Sequence, residues 1–276
     1  MPHLHLAVAQ VHSRAGAVAG NLARVERQAQ AAALNGCDLV LFAETVLHAY
    51  VFTPANLALA EVAGAGPATC GVIALAVRHR ITIAAGFLER SATGIHNSHL
   101  VAFPDGTWTV RRKTELTETE RKAGLIAGDG SFEPVVIGGI PCVVVICADG
   151  GHAGLAAKLR ANGVRYRLCP TAGGDNIDGV KEAPMSPEEL TTLSGRQRYE
   201  RLRGKVFDAS HIQTLPADHV CGFASANALG DDGNGTHHFG HCMITGNDGV
   251  MLAQIPGNPV SAFKFDQMAH AVVSFS

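Results

Sequence analysis

The segment at residues 141–154, PCVVVICADGGHAG, constrains the possible folds of this chain more than any other stretch. Its four apolar residues at positions 143–146 lead directly into Cys147. Such a run is typical of a strand buried on both faces in the middle of a layered α/β fold. Asp149 and two glycines follow, and apolar and basic residues then recur at helical spacing. We therefore predict a strand, a tight turn that carries the thiol, and a helix over residues 151–162.

The thiol of Cys147 has two interpretations. A cysteine near a helix N-terminus meets a partial positive charge that favours thiolate over thiol, and neighbouring glycines let the backbone approach a ligand closely. These features indicate a catalytic nucleophile. Cysteine is also common as a small buried residue in strands, so this segment alone leaves a structural role open.

Composition excludes several classes of protein. The 276 residues are 47% hydrophobic and 17% charged, which fits a globular protein with a well-buried core, and the net charge of −2 offers no strong field to nucleic acid or to an acidic membrane. The seven cysteines include no C-x-x-C pair, which predicts reduced thiols in a cytoplasmic protein. We see no signal peptide and no apolar run of about 18 residues, so we expect no membrane span.

Strands and helices alternate along the chain, and this order predicts helices packed on mixed β-sheets. The predicted strands cover residues 4–11, 38–42, 81–88, 164–169 and 220–227, with hairpins at residues 98–112 and 243–255. The predicted helices cover residues 21–34, 67–80, 151–162 and 187–210, and residues 173–187 are predicted to form a loop. No stretch resembles an interdomain linker, so we expect one domain over residues 1–276.

Three residues with complementary chemistry each follow a predicted strand: Glu44, Lys113 and Cys147. Ligands of open α/β sheets gather outside the carboxyl ends of the strands. A carboxylate can take the proton of a thiol, the thiolate can attack an electrophilic carbon, and a lysine can stabilise the resulting oxyanion. Taken singly, Glu44 and Lys113 also fit solvated surface positions.

Three motifs resemble those of the nitrilase superfamily of carbon–nitrogen hydrolases, and the similarity extends over nearly the whole chain. The first is LVLFAETVLHAY, with Glu44 and Tyr50; the second is RRKTELTETE, with Lys113; the third is VVVICAD, with Cys147 and Asp149. The three motifs occur in the order and at the separations that this superfamily shows. The resemblance implies a four-layer α-β-β-α sandwich, no metal, no organic cofactor, and subunits that pair as a homodimer or a higher homo-oligomer.

The resemblance also implies roles for individual residues. Glu44 would be the general base, Cys147 the nucleophile and Lys113 an oxyanion stabiliser, with the backbone N–H of Ala148 as a second oxyanion donor. Members of the superfamily often have a further glutamate that braces the site.

The bracing glutamate has two candidates in this sequence. Glu120 fits the position best, and Glu118 remains open.

The chain departs from the superfamily pattern around its motifs. Ala43 and Ala49 replace a usual proline and a usual glycine. Gly150, Gly151 and His152 stand where the superfamily often has an aromatic residue, a proline and a glutamate. The identity of the substrate therefore cannot be inferred from that of a better-known branch of the superfamily.

The residues after the nucleophile favour one branch of the superfamily. Nitrile-hydrolysing members typically have Cys-Trp-Glu, whereas Cys147-Ala148-Asp149 is closer to amidases and N-carbamoyl hydrolases. We therefore expect a small amide or carbamoyl substrate. The expected substrate-binding residues are Tyr50, Ala148, Asp149, His152 and Thr171.

Other functions stay open from the sequence: a true nitrilase, an acyltransferase, and a catalytically silent binding module. The segment THHFGHC also offers His237, His238 and His241 beside Cys242 as donors that zinc accepts. Because Asn and Gly surround these histidines, we interpret them as loop residues near a pocket.

Overall fold

The structure is a computed structural model. It describes residues 1–173, 185–214, 221–233, 235–260 and 265–275, and only the backbone of residues 205–214. Most of the predicted loop at residues 173–187 falls at residues 174–184, outside the described residues. No α-helix within the described ranges is long and apolar enough to cross a lipid bilayer.

The described part alternates strands and helices. The strands are β1 (His3–Gln10), β2 (Leu39–Phe42), β3 (Thr82–Arg90), β4 (Ile95–Ala102), β5 (Trp108–Arg112), β6 (Val135–Ile137), β7 (Ile140–Val144), β8 (Tyr166–Thr171), β9 (Gly222–Asn227), β10 (Leu229–Asp231), β11 (His237–Thr245), β12 (Met251–Gly257) and β13 (Gln267–Ser274). The helices are α1 (Val18–Leu34), α2 (Pro54–Leu57), α3 (Pro67–His79), α4 (Glu118–Lys122), α5 (Leu155–Ala161) and α6 (Leu193–Thr214), with 3₁₀ turns at Cys147–Gly151 and Pro187–Thr191.

The strands form two mixed sheets. The first has the order β13-β1-β2-β3-β4-β5; β1, β2 and β3 run parallel, and the other pairings are antiparallel. The second has the order β10-β11-β9-β8-β7-β6, with β12 paired to β11. In this sheet β7, β8 and β9 run parallel, and the other pairings are antiparallel.

Three buried apolar clusters show how the layers stack. The two sheets face each other through side chains such as Leu6 of β1 and Leu168 of β8. Helices α1 and α3 cover the outer face of the first sheet through Val25 and Val72, and α5 covers the second sheet through Leu159. The fold is therefore a four-layer α-β-β-α sandwich, which confirms the prediction.

Helix α3 illustrates how local sequence sets the boundaries of these elements. Pro67 occupies its first turn, where the N–H that proline lacks would have no partner inside the helix. Val72 and Ala76 are four residues apart and both fully buried, so one face of the helix packs on the sheet. The helix ends at His79, because the next residue, Arg80, has a left-handed φ of 53°.

The helix predicted over residues 151–162 is shorter in the structure. A 3₁₀ turn covers Cys147–Gly151, and α5 has only seven residues from Leu155 onward. Gly154 lies between them with a left-handed φ of 77°, which interrupts helical geometry.

The second predicted hairpin is longer than the sequence indicated. Strand β11 begins at His237, before the predicted start at residue 243. His237, His238 and His241 therefore belong to a strand, and their interpretation as loop residues was wrong. The strand extends this far because its N-terminal half pairs with β10, through contacts such as Gly230 opposite His238.

The carboxyl ends of parallel strands from both sheets meet at one edge of the sandwich. The backbone N–H of Glu44, just after β2, donates to the carbonyl of Thr171 at the end of β8, at 3.3 Å. Cys147 lies at the same edge, after the neighbouring strand β7. This edge holds the residues whose chemistry the sequence singled out.

Candidate active site

Glu44 lies in a tight turn after β2, and the backbone of this turn packs closely against the neighbouring strand β3. The Cα of Gly86 on β3 approaches this turn so closely that a Cβ atom there would lie 2.2 Å from the backbone nitrogen of Thr45. Glycine is therefore required at position 86. The approach buries Glu44, whose residue surface is only 1% exposed.

Lys113 follows β5 and reaches the Glu44 carboxylate. Its backbone N–H donates to the carbonyl of Asn97 at 2.8 Å. Its Nζ donates to Oε1 of Glu44 at 2.7 Å and to the two carboxylate oxygens of Glu120 at 3.0 and 3.1 Å. All three charged side chains are fully buried, with 0% exposure. A buried lysine between two carboxylates forms a fixed electrostatic centre, because each charge is held by hydrogen bonds.

Asn97 of β4 holds the two carboxylates at a fixed separation. Its Nδ2 donates to Oε1 of Glu44 at 2.7 Å and to Oε1 of Glu120 at 2.6 Å. The sequence alone does not reveal this bridging contact, because Glu44, Asn97 and Glu120 are far apart along the chain and meet only in the folded protein.

The two candidate bracing glutamates lie in very different surroundings. Glu120 is buried and closes a capping box on α4, in which its Oε2 accepts the backbone N–H of Thr117 at 2.7 Å. Glu118 is 75% exposed and pairs with Lys122 on the helix surface. The structure thus places Glu120, and not Glu118, against Lys113.

This contrast gives a matched pair of variants. We expect Glu120→Gln to lower the free energy of unfolding by about 2 kcal/mol or more and to lower kcat, because it removes a hydrogen-bonded buried charge. Glu118→Gln should change stability by less than about 0.5 kcal/mol, since exposed ion pairs contribute little. Urea denaturation followed by circular dichroism measures both variants. Equal losses of stability would contradict this distinction.

Cys147 begins the 3₁₀ turn in a backbone conformation that few residues adopt. Its φ is 47°, in the left-handed region, which is uncommon for a residue other than glycine. Its side chain is half-buried, and the backbone of Ala172 forms a hydrogen bond to it. Ala148, the next residue, is also half-buried.

The thiol of Cys147 is not activated by a helix N-terminus, contrary to the sequence-based expectation. Burial and the charge of Glu44 raise its pKa to about 12, and Lys113 offsets this only in part. The physical reason is that a short 3₁₀ turn follows the cysteine and α5 starts only at Leu155, whereas the effect of a helix terminus extends over about one turn.

The neighbouring charges act in opposite directions on the pKa values of Glu44 and Lys113. Burial raises the pKa of Glu44, and Glu120 adds to this rise while Lys113 opposes it. Burial alone would lower the pKa of Lys113, but Glu44, Cys147, Tyr50 and Glu120 together hold it well above its usual value. The lysine is therefore charged at neutral pH.

Asp149 contacts the backbone of the protein through both carboxylate oxygens. Its Oδ1 accepts the N–H groups of Thr114 and Glu115 at 2.9 and 2.7 Å, and its Oδ2 accepts that of Ile146 at 3.2 Å. Burial raises its pKa to about 6 against these hydrogen bonds. Asp149 thus ties the loop after Lys113 to the turn that carries the thiol.

His152 and Thr171, which the sequence marked as candidate substrate contacts, have partners within the protein. Nδ1 of His152 lies 2.6 Å from Oε1 of Glu115, and its Nε2 lies 3.2 Å from Nζ of Lys158. The hydroxyl of Thr171 donates to Oδ1 of Asn227 at 2.9 Å. Thr171 shapes the edge of the site through its carbonyl, which accepts the N–H of Glu44.

A small cavity adjoins the Glu44 carboxylate. Tyr50 lines it and also presents its ring to Nζ of Lys113, 5.6 Å from the ring centroid. Asp232 and His238, from the hairpin of β10 and β11, line the same cavity. The sequence placed His238 near a pocket, as a loop residue, but it gave no sign of Asp232, because a hairpin from the other sheet brings both residues here.

The histidines of THHFGHC do not form a metal-ligand cluster in the structure. Among the described residues, one group of three potential ligand side chains lies close enough together to hold an ion, and it consists of His5, Cys37 and His270. It lies at the opposite end of β1 from the Glu44 edge, since His5 is near the start of that strand.

Comparison with known proteins extends these observations. The family model described as carbon-nitrogen hydrolase matches residues 5–260. No curated protein matches the chain in sequence.

Several solved structures share the fold. A CN-hydrolase superfamily protein from Xanthomonas campestris, XC1258, with an arsenic adduct in its active site, has a TM-score of 0.73 at 19% identity, covering 99% of this chain and 91% of its own. A carbon-nitrogen hydrolase from Helicobacter pylori G27 has a TM-score of 0.70 at 19% identity, covering 99% and 89%. A double mutant of the amidase from Nesterenkonia sp. AN1 in complex with acrylamide has a TM-score of 0.69 at 16% identity, covering 99% and 92%.

The two-sheet sandwich is the fold of the nitrilase superfamily. Within it, the chain belongs to the carbon–nitrogen hydrolase family, whose model spans most of its length.

Proposed function

We propose that the protein hydrolyses a non-peptide C–N bond in small linear amides or N-carbamoyl compounds through a thioester on Cys147. One observation carries the proposal: a fully buried Lys113 holds the Glu44 carboxylate at 2.7 Å, beside the thiol, at the edge where strands of both sheets end. A thiol, a base and a fixed cation are the groups that acyl transfer to cysteine requires.

The first half of the reaction forms the acyl-enzyme. Glu44 takes the proton of the Cys147 thiol as the sulfur attacks the carbonyl carbon, and a C–S bond forms. Lys113 and the backbone N–H of Ala148 stabilise the negative oxygen of the tetrahedral intermediate. When the intermediate collapses, the C–N bond breaks, and Glu44 returns its proton to the departing nitrogen, which leaves as ammonia or an amine.

The second half consumes water. Glu44 takes a proton from the water molecule as its oxygen attacks the thioester carbon. Collapse breaks the C–S bond, releases the acid and returns the proton to the thiol. The raised pKa of Cys147 fits this cycle, because the sulfur is a neutral thiol between turnovers.

The amide branch is favoured by the residues after the nucleophile and by one structural neighbour. The amidase from Nesterenkonia sp. AN1 binds acrylamide in one mutant, and in another the acetamide moiety of fluoroacetamide is covalently added at its active-site cysteine. At 16–17% identity, this neighbour supports the choice of substrate class through the shared fold.

Substrate choice is testable with a nitrile, a primary amide and an N-carbamoyl compound that are matched in their substituent. We expect turnover of the amide or the carbamoyl compound and none of the nitrile. An amide needs an oxyanion stabiliser and an acid for its leaving nitrogen, and Lys113 and Glu44 provide these. Ammonia release gives kcat/KM for each compound. The highest kcat/KM for the nitrile would replace this proposal with a nitrilase, and acyl transfer to an added amine in preference to water would indicate an acyltransferase.

We also propose that residues 1–276 form one domain that assembles as a cytoplasmic homodimer or higher homo-oligomer. All seven cysteines are free in the structure, which fits a reducing compartment. Light scattering coupled to size-exclusion chromatography measures the assembly, and a monomer at micromolar concentration would contradict it.

A further inference from the structure

The cavity beside Glu44 contains a buried histidine that the proposed chemistry does not use. His238 lies on β11, its side chain is 4% exposed, and it lines the same cavity as Glu44 and Tyr50. It stands in a hairpin of the second sheet, whereas Glu44 follows a strand of the first. The two residues therefore face the cavity from different walls.

Hydrogen bonding determines which ring nitrogen of His238 carries the proton and which one is an acceptor. Its Nδ1 lies 3.4 Å from the carbonyl oxygen of Gly173, which can only accept, so Nδ1 carries the proton in the neutral ring. Burial lowers the pKa of His238, and the charge of Asp232 opposes this only in part, so the ring is neutral. Its Nε2 therefore presents a lone pair.

The Nε2 atom of His238 is a buried acceptor without a hydrogen bond in the structure. It is inaccessible to solvent and has no hydrogen-bond partner in the described part of the chain. The nearest carboxylate oxygen, Oδ2 of Asp232, is 4.0 Å away and is itself an acceptor. Burying an acceptor without a donor destabilises a folded protein, so such an atom in a cavity that Glu44 also lines points to a ligand that supplies the donor.

A second atom of the same cavity has the same property. Oε2 of Glu44 is buried, and within the described ranges it has no hydrogen-bond partner, whereas Oε1 is held by Lys113 and Asn97. The proton that Glu44 takes up in the proposed reaction explains why its Oε2 has no donor. The reaction does not use His238, so we assign its Nε2 to a part of the substrate that does not react.

We propose that His238 is a specificity-determining residue whose Nε2 accepts a hydrogen bond from a donor group on the acyl side of the substrate. This inference rests on the proposed function and narrows it to small amides or carbamoyl compounds that carry an amino or hydroxyl group. Because Oδ2 of Asp232 and Nε2 of His238 are 4.0 Å apart, one amino group can lie within hydrogen-bond distance of both. A hydroxyl has one proton and can serve only one of them, so amino compounds should be preferred to hydroxyl compounds.

Two series of isosteric amides test the inference. The first is 2-methyl-, 2-hydroxy- and 2-aminopropanamide; the second is butanamide, 3-hydroxypropanamide and 3-aminopropanamide, which places the group one carbon further away. In at least one series, the unsubstituted protein should have a kcat/KM for the amino or hydroxyl compound at least about tenfold above that of the methyl compound.

Three variants assign this preference to the imidazole. His238→Phe keeps a planar ring but removes both nitrogens, so the preference should fall to about twofold or less while the methyl compound is still hydrolysed. His238→Gln can present an amide oxygen and should retain part of the preference. His3→Gln, an exposed position at the far end of β1, should leave it unchanged. Circular dichroism checks folding, and if His238→Phe does not fold, His238→Leu, which also removes both nitrogens, replaces it.

A binding measurement distinguishes failure of this inference from failure of the proposed function. Calorimetry with the Cys147→Ala protein measures the affinity of the same six amides without turnover. If the protein hydrolyses none of them but binds the donor compounds more tightly in a manner that depends on His238, the proposed function fails and the subsite stands. The inference is overturned if the methyl compound has the same kcat/KM as the donor compounds in both series. It is also overturned if the preference for donor compounds is unchanged in His238→Phe. Absence of both binding and turnover for every donor compound overturns it as well.

Discussion

Replacement of Cys147 by alanine or by serine is expected to abolish turnover while the protein stays folded. Without the sulfur the proposed thioester cannot form, and loss of the nucleophile lowers kcat by at least about 10⁴-fold in proteases that form an acyl-enzyme. Folding should persist, because the side chain is only half-buried and neither replacement is more strained than cysteine at a φ of 47°. Ammonia release measures turnover, and thermal denaturation measures folding.

Cys70 offers the matched control for this experiment. It is an exposed cysteine on α3, so Cys70→Ser should keep both activity and stability. Activity within a few-fold of the original protein in both Cys147→Ala and Cys147→Ser would show that the thiol at the end of β7 is not the nucleophile.

The layered fold could be predicted because its determinants are local. The apolar run at residues 143–146 indicated a buried strand, and β7 extends into it as far as Val144. Pro67 marks the start of α3 from its own covalent geometry. Boundaries were less predictable where a single backbone conformation decides them. The left-handed φ of Gly154 shortens α5, and no periodicity in the flanking residues reports it.

The position of the candidate site could be predicted, but its internal contacts could not. Glu44 and Cys147 each follow a parallel strand, so their location at one edge follows from the general geometry of such sheets. The bridge from Asn97 to two carboxylates, and the use of Asp149 as a backbone acceptor, depend on chain segments that meet only in the folded protein.

The protonation state of the Cys147 thiol also could not be predicted from local sequence. A local argument from the helix terminus favoured thiolate, whereas burial and the nearby Glu44 raise the pKa of Cys147 to about 12. Burial and charge pairing are properties of the whole fold and exceed the effect of a short turn. The pairing of β11 with β10, which turns His238 from a loop residue into a strand residue, is likewise not visible in the local sequence.

Removal of the Lys113 charge gives the second large effect that we expect. Lys113→Ala should lower kcat by at least about 100-fold, the scale of losing one oxyanion donor, with little change in KM. The reason is that the ammonium acts on charge that develops in the transition state, after the substrate has bound. Glu44→Gln should likewise lower kcat, because an amide cannot accept the thiol proton. Steady-state kinetics with the preferred amide separates kcat from KM.

Stability must be measured alongside kinetics, because Lys113→Ala leaves Glu44 and Glu120 as buried carboxylates without their cation. Loss of one partner from a buried ion pair costs about 3–5 kcal/mol, and this could imitate a catalytic defect. The double variant Lys113→Ala with Glu120→Gln removes one charge of each sign, so it should regain part of the stability while kcat stays low. Lys122→Ala, at an exposed lysine on α4, is the control and should keep full activity. A raised KM with unchanged kcat in Lys113→Ala, or recovery of kcat together with stability in the double variant, would show that the lysine only supports the fold or binds the substrate.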